Sequence, residues 1–471
     1  MSPEHGKKRC VILLADGSRS DVFEYLLERG KLKNISRHIV EPGAFITAAS
    51  VFPSTTGPAY TPYLTGNFPG KCGVPGIRWL DRDLWDKPFT FRRMRSYVSY
   101  EAMFLNDDMT THPPLLFELI PSSVSVFNEM NRGLLPGNNL TKSSSAFWKL
   151  KSHFFKNGSS IDRAAADKLL DRLDSSVEDL PLFCFAVFME IDSLSHKLHP
   201  FHKKVVDAYI KLDGIVGEVV ERLEKKGVLD NTLFLIVSDH GMTATHTHLD
   251  LSAILKDKGF KLLEYPNIFR NFFGADCSVM VSGNSMAHIY FRNACGEMKK
   301  SVADCLASRR EIDIVMRKET CGWISITSSR GSGRVKARGD KIFYETAEGD
   351  PFGFPPMKGE MSKDEQLSIT FETGYPDALL QVCQICESSR AGDIIVSAKA
   401  GFDLRSRFEF PEHRASHGSI SGSHTRVPVM MNIKIGGGKA RTVDIYPTVL
   451  DHMGIETPEN IDGKSLLARR G

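Results

Sequence analysis

The sequence predicts an α/β fold: a mostly parallel central sheet with helices on both faces, carrying a smaller α+β insertion. Three observations predict it. Short apolar runs rich in β-branched and aromatic residues stand at 10–15, 182–189 and 233–237, and strands of that make are buried on both faces, as in a parallel sheet. Between the second and third runs, apolar side chains recur at Val206, Ile210, Val216, Val219, Val220 and Leu223. That is the spacing of a helix face, which Gly227 then stops, and strand, helix and strand of those lengths make a βαβ crossover. From 251 to 390 the texture changes to short mixed segments, such as 286–291 and 322–327, between turn-formers at 331–333 and 349–356. The pattern of the core resumes with strands at 394–396 and 427–432 and a final helix after Thr442. A length of 471 residues then divides into a first core part at 1–250, a cap-like insertion at 251–390 and a last core part at 391–471, one large catalytic unit rather than a string of domains.

Composition bounds the function classes. With 41% hydrophobic and 25% charged residues, the chain has ordinary globular make-up and is not mostly disordered. A formal net charge of +3 and the lack of a dense basic run argue against a dedicated nucleic-acid binder, so no duplex partner is expected. No apolar stretch reaches the roughly 18–20 residues of a membrane helix, and the run at 10–15 is too short for a signal-peptide core. Nine cysteines, an odd number spread over a long chain, suit a reducing compartment. The expectation is a cytoplasmic protein.

Each predicted core strand is followed at once by acidic or imidazole side chains: Asp16-Gly17 after the first, Asp192 and His196 after the second, Ser-Asp239-His240-Gly-Met after the third. In open α/β sheets ligands bind beyond the carboxyl ends of the strands, so these groups can converge on one crevice. Any one of them alone reads as a helix cap or a solvated turn; three together do not. Asp and His suit a divalent metal, zinc or manganese rather than calcium, and the absence of cysteine argues against a closed structural zinc site. The candidates outnumber the ligands of a single catalytic zinc, and paired metals are the usual apparatus of phosphoryl transfer.

A nucleophile candidate lies in Phe-Pro-Ser-Thr-Thr-Gly-Pro at 52–58, before one or two helical turns that end at Thr65-Gly66. A hydroxyl at such a place faces free backbone N–H groups, which suits a phosphate oxygen; the competing reading makes Ser54, Thr55 or Thr56 merely the cap. A Gly/Ser-rich loop at 416–428 carries His417 and His424, either of which completes the metal set or is a plain loop histidine.

The order of these motifs resembles the alkaline phosphatase superfamily, and within it the type I phosphodiesterase and nucleotide pyrophosphatase family. The likeness rests on Leu-Ala-Asp-Gly at 14–17, Thr-Gly-Pro from Thr56, Leu-Thr-Gly-Asn-Phe-Pro at 64–69, the Asp192 and His196 pair, Ser-Asp-His-Gly-Met, the late Ser-His-Gly, and Arg-Thr-Val-Asp-Ile-Tyr-Pro-Thr at 441–448 with Asp462-Gly; the insertion matches loosely. The resemblance implies two metal sites, one from Asp16, Thr56, Asp239 and His240, the other from Asp192, His196 and a late histidine. His417 is preferred there because His-Gly is the family's form, with His424 the alternative. It also implies a nucleophilic Thr56 and a covalent phospho- or nucleotidyl-threonine, with a small phosphate ester or nucleotide as substrate. One departure bears on specificity: residues 72–78 read Cys-Gly-Val-Pro-Gly-Ile-Arg, with Cys for the family's His and Ile77 where a phosphate-holding Asn falls. Arg78 either grips phosphate instead, which would favour monoesters, or packs on Trp79 or pairs with Asp81. A phosphomonoesterase is therefore the alternative, and a phosphomutase is disfavoured by the Thr nucleophile and the late insertion. A sulfatase lacks its Cys/Ser-x-Pro-x-Arg here, and a non-enzymatic relative should have lost ligands that are all present.

Four features are read as structure. Cys383 and Cys386 are assigned to core packing on a helix, residues 331–338 to a basic hairpin, His246 and His248 to a polar loop, and Asp444 to a helix cap.

Overall fold

The computed structural model describes residues 6–87, 90–141, 159–265, 274–357, 359–405 and 412–467. Its three apolar runs become adjacent parallel strands. Arg9–Ala15 lies between Phe183–Phe188 and Thr232–Val237, with Leu14 opposite both Val187 and Val237. Every residue of the three strands is buried, so no polar face is needed on either side of the sheet. Among the described residues the sheet has seven strands in the order Ala440–Arg441, Ala44–Ala49, Arg426–Met431, Thr232–Val237, Arg9–Ala15, Phe183–Phe188, Ser123–Val126. Pairing is parallel from Thr232–Val237 to Ser123–Val126 and antiparallel on both sides of Arg426–Met431. The sheet is largely parallel, as expected.

The crossover helix runs Lys203–Lys225 and ends before Gly227, whose φ of 64° suits a residue without a Cβ. Its buried stripe is Val205, Ala208, Tyr209, Leu212, Ile215, Val216, Val219, Val220 and Leu223. Ile210, read from sequence as part of that face, points outward and is 39% exposed. A stripe stepping by three and four from Val205 passes over Tyr209 and Leu212 and leaves position 210 on the far side.

A second sheet has nine strands among the described residues: Gly359–Ser362, Lys341–Thr346, Gly331–Arg338, Ile324–Ser328, Ile312–Lys318, Ile394–Ala398, Met286–Phe291, Cys277–Ser282, Leu262–Glu264. One reading from sequence is corrected here. Ile394–Ala398, expected as the return of the core sheet, sits in the middle of this second sheet between Ile312–Lys318 and Met286–Phe291. Its five residues are all buried, and a short run buried on both faces fits the centre of either sheet equally well. Residues 331–338 form the first strand of a hairpin with Lys341–Thr346, and Cys383 is buried on the helix Ala378–Glu387.

A small three-stranded sheet joins Gly401–Asp403, Thr243–His248 and Ala415–Ser416. Residues 243–248, expected as a loop, are therefore a strand. The Thr-Ala-Thr-His-Thr-His run alternates in strand fashion, with Thr245 buried and His246 exposed, and His248 Nδ1 lies 2.6 Å from Asp403 Oδ1. This ribbon carries Ser416, and with it His417, back across the end of the core sheet.

Between the two large sheets lies a buried ion pair. Arg441 donates to Asp377 through Nε at 3.0 Å and Nη2 at 2.9 Å, and Asp444 caps the same turn by accepting from the Arg441 N–H. Asp377 is fully buried, a position a carboxylate holds only when paired and hydrogen-bonded.

Candidate active site

Asp16 and Asp239 follow their strands directly, whereas Asp192 and His196 sit on the helix Glu190–Leu198 that opens after the strand Phe183–Phe188. A spacing of four residues puts these two side chains on one helix face. Gly17, with φ 68°, lies so close to this helix that an added Cβ would stand 3.0 Å from Asp192 Cβ, and the strand ends approach closely only because position 17 carries no side chain. Thr56 lies on a turn that leads into Pro58–Tyr60 and the helix Thr61–Thr65. From Val51 to Tyr60 every residue is buried except Thr56, which is partly open. Ser54 donates its hydroxyl to the Ser419 carbonyl at 2.8 Å, and Thr55 is fully buried. The turn therefore offers one accessible hydroxyl.

Around that hydroxyl the expected residues gather. Thr56 Oγ1 is 3.3 Å from Asp16 Oδ1 and 3.2 Å from His240 Nε2. His240 Nε2 stands 3.5 Å from Asp16 Oδ1 and 3.4 Å from Asp239 Oδ2, and Asp239 Oδ1 accepts the Gly17 N–H at 3.2 Å. Nearby, His196 Nε2 is 3.4 Å from Asp192 Oδ1. The His417 ring stacks on His240 with centroids 3.8 Å apart and planes within 5°, and lies 5.2 Å from His196.

The three imidazoles share one feature. His196 Nδ1 lies 2.8 Å from the Ala415 carbonyl, His417 Nδ1 3.0 Å from that of Ser54, and His240 Nδ1 3.2 Å from that of Gly241. A carbonyl oxygen only accepts, so each Nδ1 carries the proton and each Nε2 keeps its lone pair, the arrangement that orients a metal-ligating histidine. Ligand atoms of Asp192, His196 and His417 lie within 4.8 Å of one another, as do those of Asp16, Asp192 and His240. Asp192 belongs to both sets. Asp192 Oδ1 and Asp239 Oδ2 are buried without a hydrogen-bond donor. Oxygens so placed want a cation, and a divalent ion fits this donor set.

The electrostatics agree. Burial pushes the Asp16 carboxyl well above its ordinary range, and repulsion from Asp239 and Asp192 adds to it. Asp239 is likewise raised by burial. Burial, then the neighbouring His240 and His196, pushes His417 far down, leaving a neutral imidazole suited to ligation.

His424 stands apart from both sets. Its Nδ1 accepts the Ser419 N–H at 3.1 Å, its Nε2 is 2.8 Å from Thr243 Oγ1, and burial lowers it to about 3. Arg78 lies on the short strand Arg78–Leu80, its guanidinium 5.0 Å from the Tyr265 ring centre. The partners weighed for it from sequence are engaged by others: Arg95 and Arg390 lie over Trp79, and Arg95 pairs with Asp81 at 3.5 Å. Sequence reasoning missed Tyr60, whose hydroxyl donates to Asp16 Oδ2 at 3.2 Å. No periodicity points to it, because Gly57, at φ 89°, breaks any helical path between Thr56 and the short turn Pro58–Tyr60.

A largely parallel sheet that gathers Asp and His side chains around a threonine at its carboxyl edge has the architecture of the alkaline phosphatase superfamily. More narrowly, the chain belongs to the type I phosphodiesterase / nucleotide pyrophosphatase family, whose profile matches residues 10–420. An uncharacterized pyrophosphatase/phosphodiesterase of Schizosaccharomyces pombe is 22% identical over 247 residues, which is 50% of this chain and 45% of that protein. The match thus spans under half the length of that curated relative. Among solved structures, phosphonoacetate hydrolase from Sinorhizobium meliloti 1021 in complex with phosphonoformate superposes with a TM-score of 0.60 at 14% identity, covering 95% of this chain and 96% of that one. Murine ectonucleotide pyrophosphatase / phosphodiesterase 5 gives 0.58 at 14% identity, covering 97% and 98%. At that identity the two structures establish the fold.

A raised carboxyl sets a pH dependence. The stability that goes with a raised Asp16 is fully present below the unfolded carboxylate value, about 4, and is lost as pH rises through the folded value. In chelator, Asp16→Asn should melt above the wild type by a margin that grows as pH rises above the unfolded carboxylate value, about 4. A margin that stays flat or shrinks with rising pH in thermal melts would contradict the crowding of carboxylates.

Proposed function

We propose that this chain, a phosphoric ester hydrolase by family, cleaves phosphodiester or pyrophosphate bonds in small phosphate esters or nucleotides, with Thr56 as nucleophile at a two-metal site. The single observation that carries the reading is the one open hydroxyl of a buried turn, facing two overlapping Asp/His sets whose imidazoles all direct Nε2 inward. Asp16, Thr56, Asp239 and His240 would hold one divalent ion, zinc or manganese, and Asp192, His196 and His417 the other. Bound there, the ions supply positive charge that favours the ionised threonine and offsets that of the phosphate. Asp16 Oδ1 accepts the Thr56 hydroxyl proton, and Tyr60 holds the opposite carboxylate oxygen so that Asp16 keeps its orientation. Thr56 Oγ1 attacks phosphorus, the P–O bond to the leaving group breaks, and the leaving oxygen departs as an alcohol or phosphate with the proton that Asp16 took from Thr56. Water then cleaves the phospho- or nucleotidyl-threonine, returning the hydroxyl to Thr56. Arg78, at the Tyr265 side, is our candidate for contact with substrate phosphate. The nine cysteines are all unpaired, which supports a reducing compartment.

Thr56→Ala should lower turnover of an aryl phosphodiester more than about 1,000-fold with an unchanged circular dichroism spectrum; full activity would remove Thr56 from its role. Faster cleavage of an aryl monoester than of the diester by the wild type would move the protein to the phosphatase side. Elemental analysis after metal loading should find about two ions per chain, fewer in His417→Ala and the full number in His424→Ala. The reverse pattern would make His424 the ligand. Arg78→Ala should raise KM by about 10-fold or more with little change in kcat, the value of a charge-assisted contact to phosphate; an unchanged KM would leave Arg78 a surface residue stacked on Tyr265.

A further inference from the structure

The turn that carries Thr56 is held from two directions. On one side lie the loops of the metal-ligand sets: the Ser50 hydroxyl donates to the Asp239 carbonyl at 2.5 Å, Ser54 to Ser419, and His417 Nδ1 to the Ser54 carbonyl. On the other side lies the helix Ala378–Glu387, which packs against the second sheet. Phe52 is fully buried, so its backbone groups need partners away from water. Its N–H donates to Gln381 Oε1 at 2.9 Å, and its carbonyl accepts from Gln384 Nε2. Gln384 Oε1 also accepts the Gly70 N–H at 3.0 Å. Gln381 Nε2 in turn donates to Asp377 Oδ2 at 2.8 Å, the carboxylate already fixed by Arg441.

The orientation of both amides follows from their partners. A backbone N–H needs an oxygen, and a carboxylate or carbonyl needs an N–H, so neither side chain can be flipped without losing bonds at both ends. Gln381 is fully buried and Gln384 is 2% exposed. A buried amide costs free energy unless every polar atom is bonded, and methionine would fill the same volume with no such demand. The amides serve here as a backbone mould, matching the N–H and carbonyl of one residue four positions before the nucleophile.

We infer that Gln381 and Gln384 are positioning residues for Thr56: they fix the entry to its turn and thereby aim Oγ1 at the phosphorus. The inference rests on Thr56 being the nucleophile as proposed above. A second-sheet helix is thus tied into the catalytic geometry of the first sheet through Phe52. A displacement of about 1 Å at a reacting atom lowers the rate about 100-fold, so loss of this mould should act on kcat and spare substrate affinity.

The test uses the full chain loaded with zinc and a bis-aryl phosphodiester. Gln381→Met and Gln384→Met should each lower kcat about 10- to 100-fold while KM and bound zinc stay within about twofold. In metal-loaded Gln381→Met the Phe52 amide should exchange with deuterium faster than in wild type. Gln366→Met is the control, because Gln366 donates to the same Asp377 at 2.5 Å but not to Phe52; it should lose thermal stability and keep kcat within about twofold. An equal kcat loss in Gln366→Met, or unchanged kcat in both test variants, would overturn the inference. Should Gln381→Met fail to fold, Gln384→Met is read alone, with exchange at Gly70 in place of Phe52. Wild-type protein without diesterase activity would sink the proposed function, and the amide exchange would then decide the mould by itself: unchanged protection at Phe52 and Gly70 refutes it.

Discussion

Three carboxylates share a buried space at the ends of adjacent strands, and their mutual repulsion is the constraint on which the rest of the structure depends. Asp16, Asp192 and Asp239 have too few protein donors between them: one oxygen of Asp192 and one of Asp239 have none. Their imidazole neighbours relieve this only in part, since each Nδ1 is spent on a backbone carbonyl. What the protein supplies is a rigid frame that keeps like charges together: β-strands buried on both faces, a turn without a side chain at Gly17, and the Thr56 turn gripped from two sides.

Much of this was legible in the sequence because the site sits where strands end. An apolar run of five to eight residues with an acid close behind it marks a strand and the crevice at its end, and Asp16, Asp192 and Asp239 are read in that way. His417 was legible only through its Gly neighbour and the resemblance to a family, since a Gly/Ser loop has no periodicity to place it. Its separation from His424 became visible in three dimensions, where His424 spends both ring nitrogens on Ser419 and Thr243.

Where the reading failed, the cause was local pattern without tertiary context. Ile394–Ala398 has the texture of a core strand and is one, but in the other sheet; nothing in five buried residues says which sheet. Residues 243–248 are polar enough to look like a loop, yet pairing on both sides with Gly401–Asp403 and Ala415–Ser416 makes them a strand. The buried glutamines of the helix Ala378–Glu387 passed unnoticed for a related reason. On a helical wheel they lie among apolar neighbours, and their demand for partners appears only when Phe52 is seen opposite them.

Gly17 and its closeness to Asp192 have a further meaning. With no side chain at position 17, the main chain after the first strand lies directly against Asp192, and the distance from Asp16 to Asp192 is set by how the strands and the following helix are placed. Hydrogen-bond register, in which Ala15 faces Phe188, then works as a ruler for the crevice. A slip of one residue would shift the acid by about 3.3 Å and turn it to the opposite face of the sheet. The spacing of the charged groups is therefore inherited from the ladder of the central strands, and it is as hard to alter as the ladder itself.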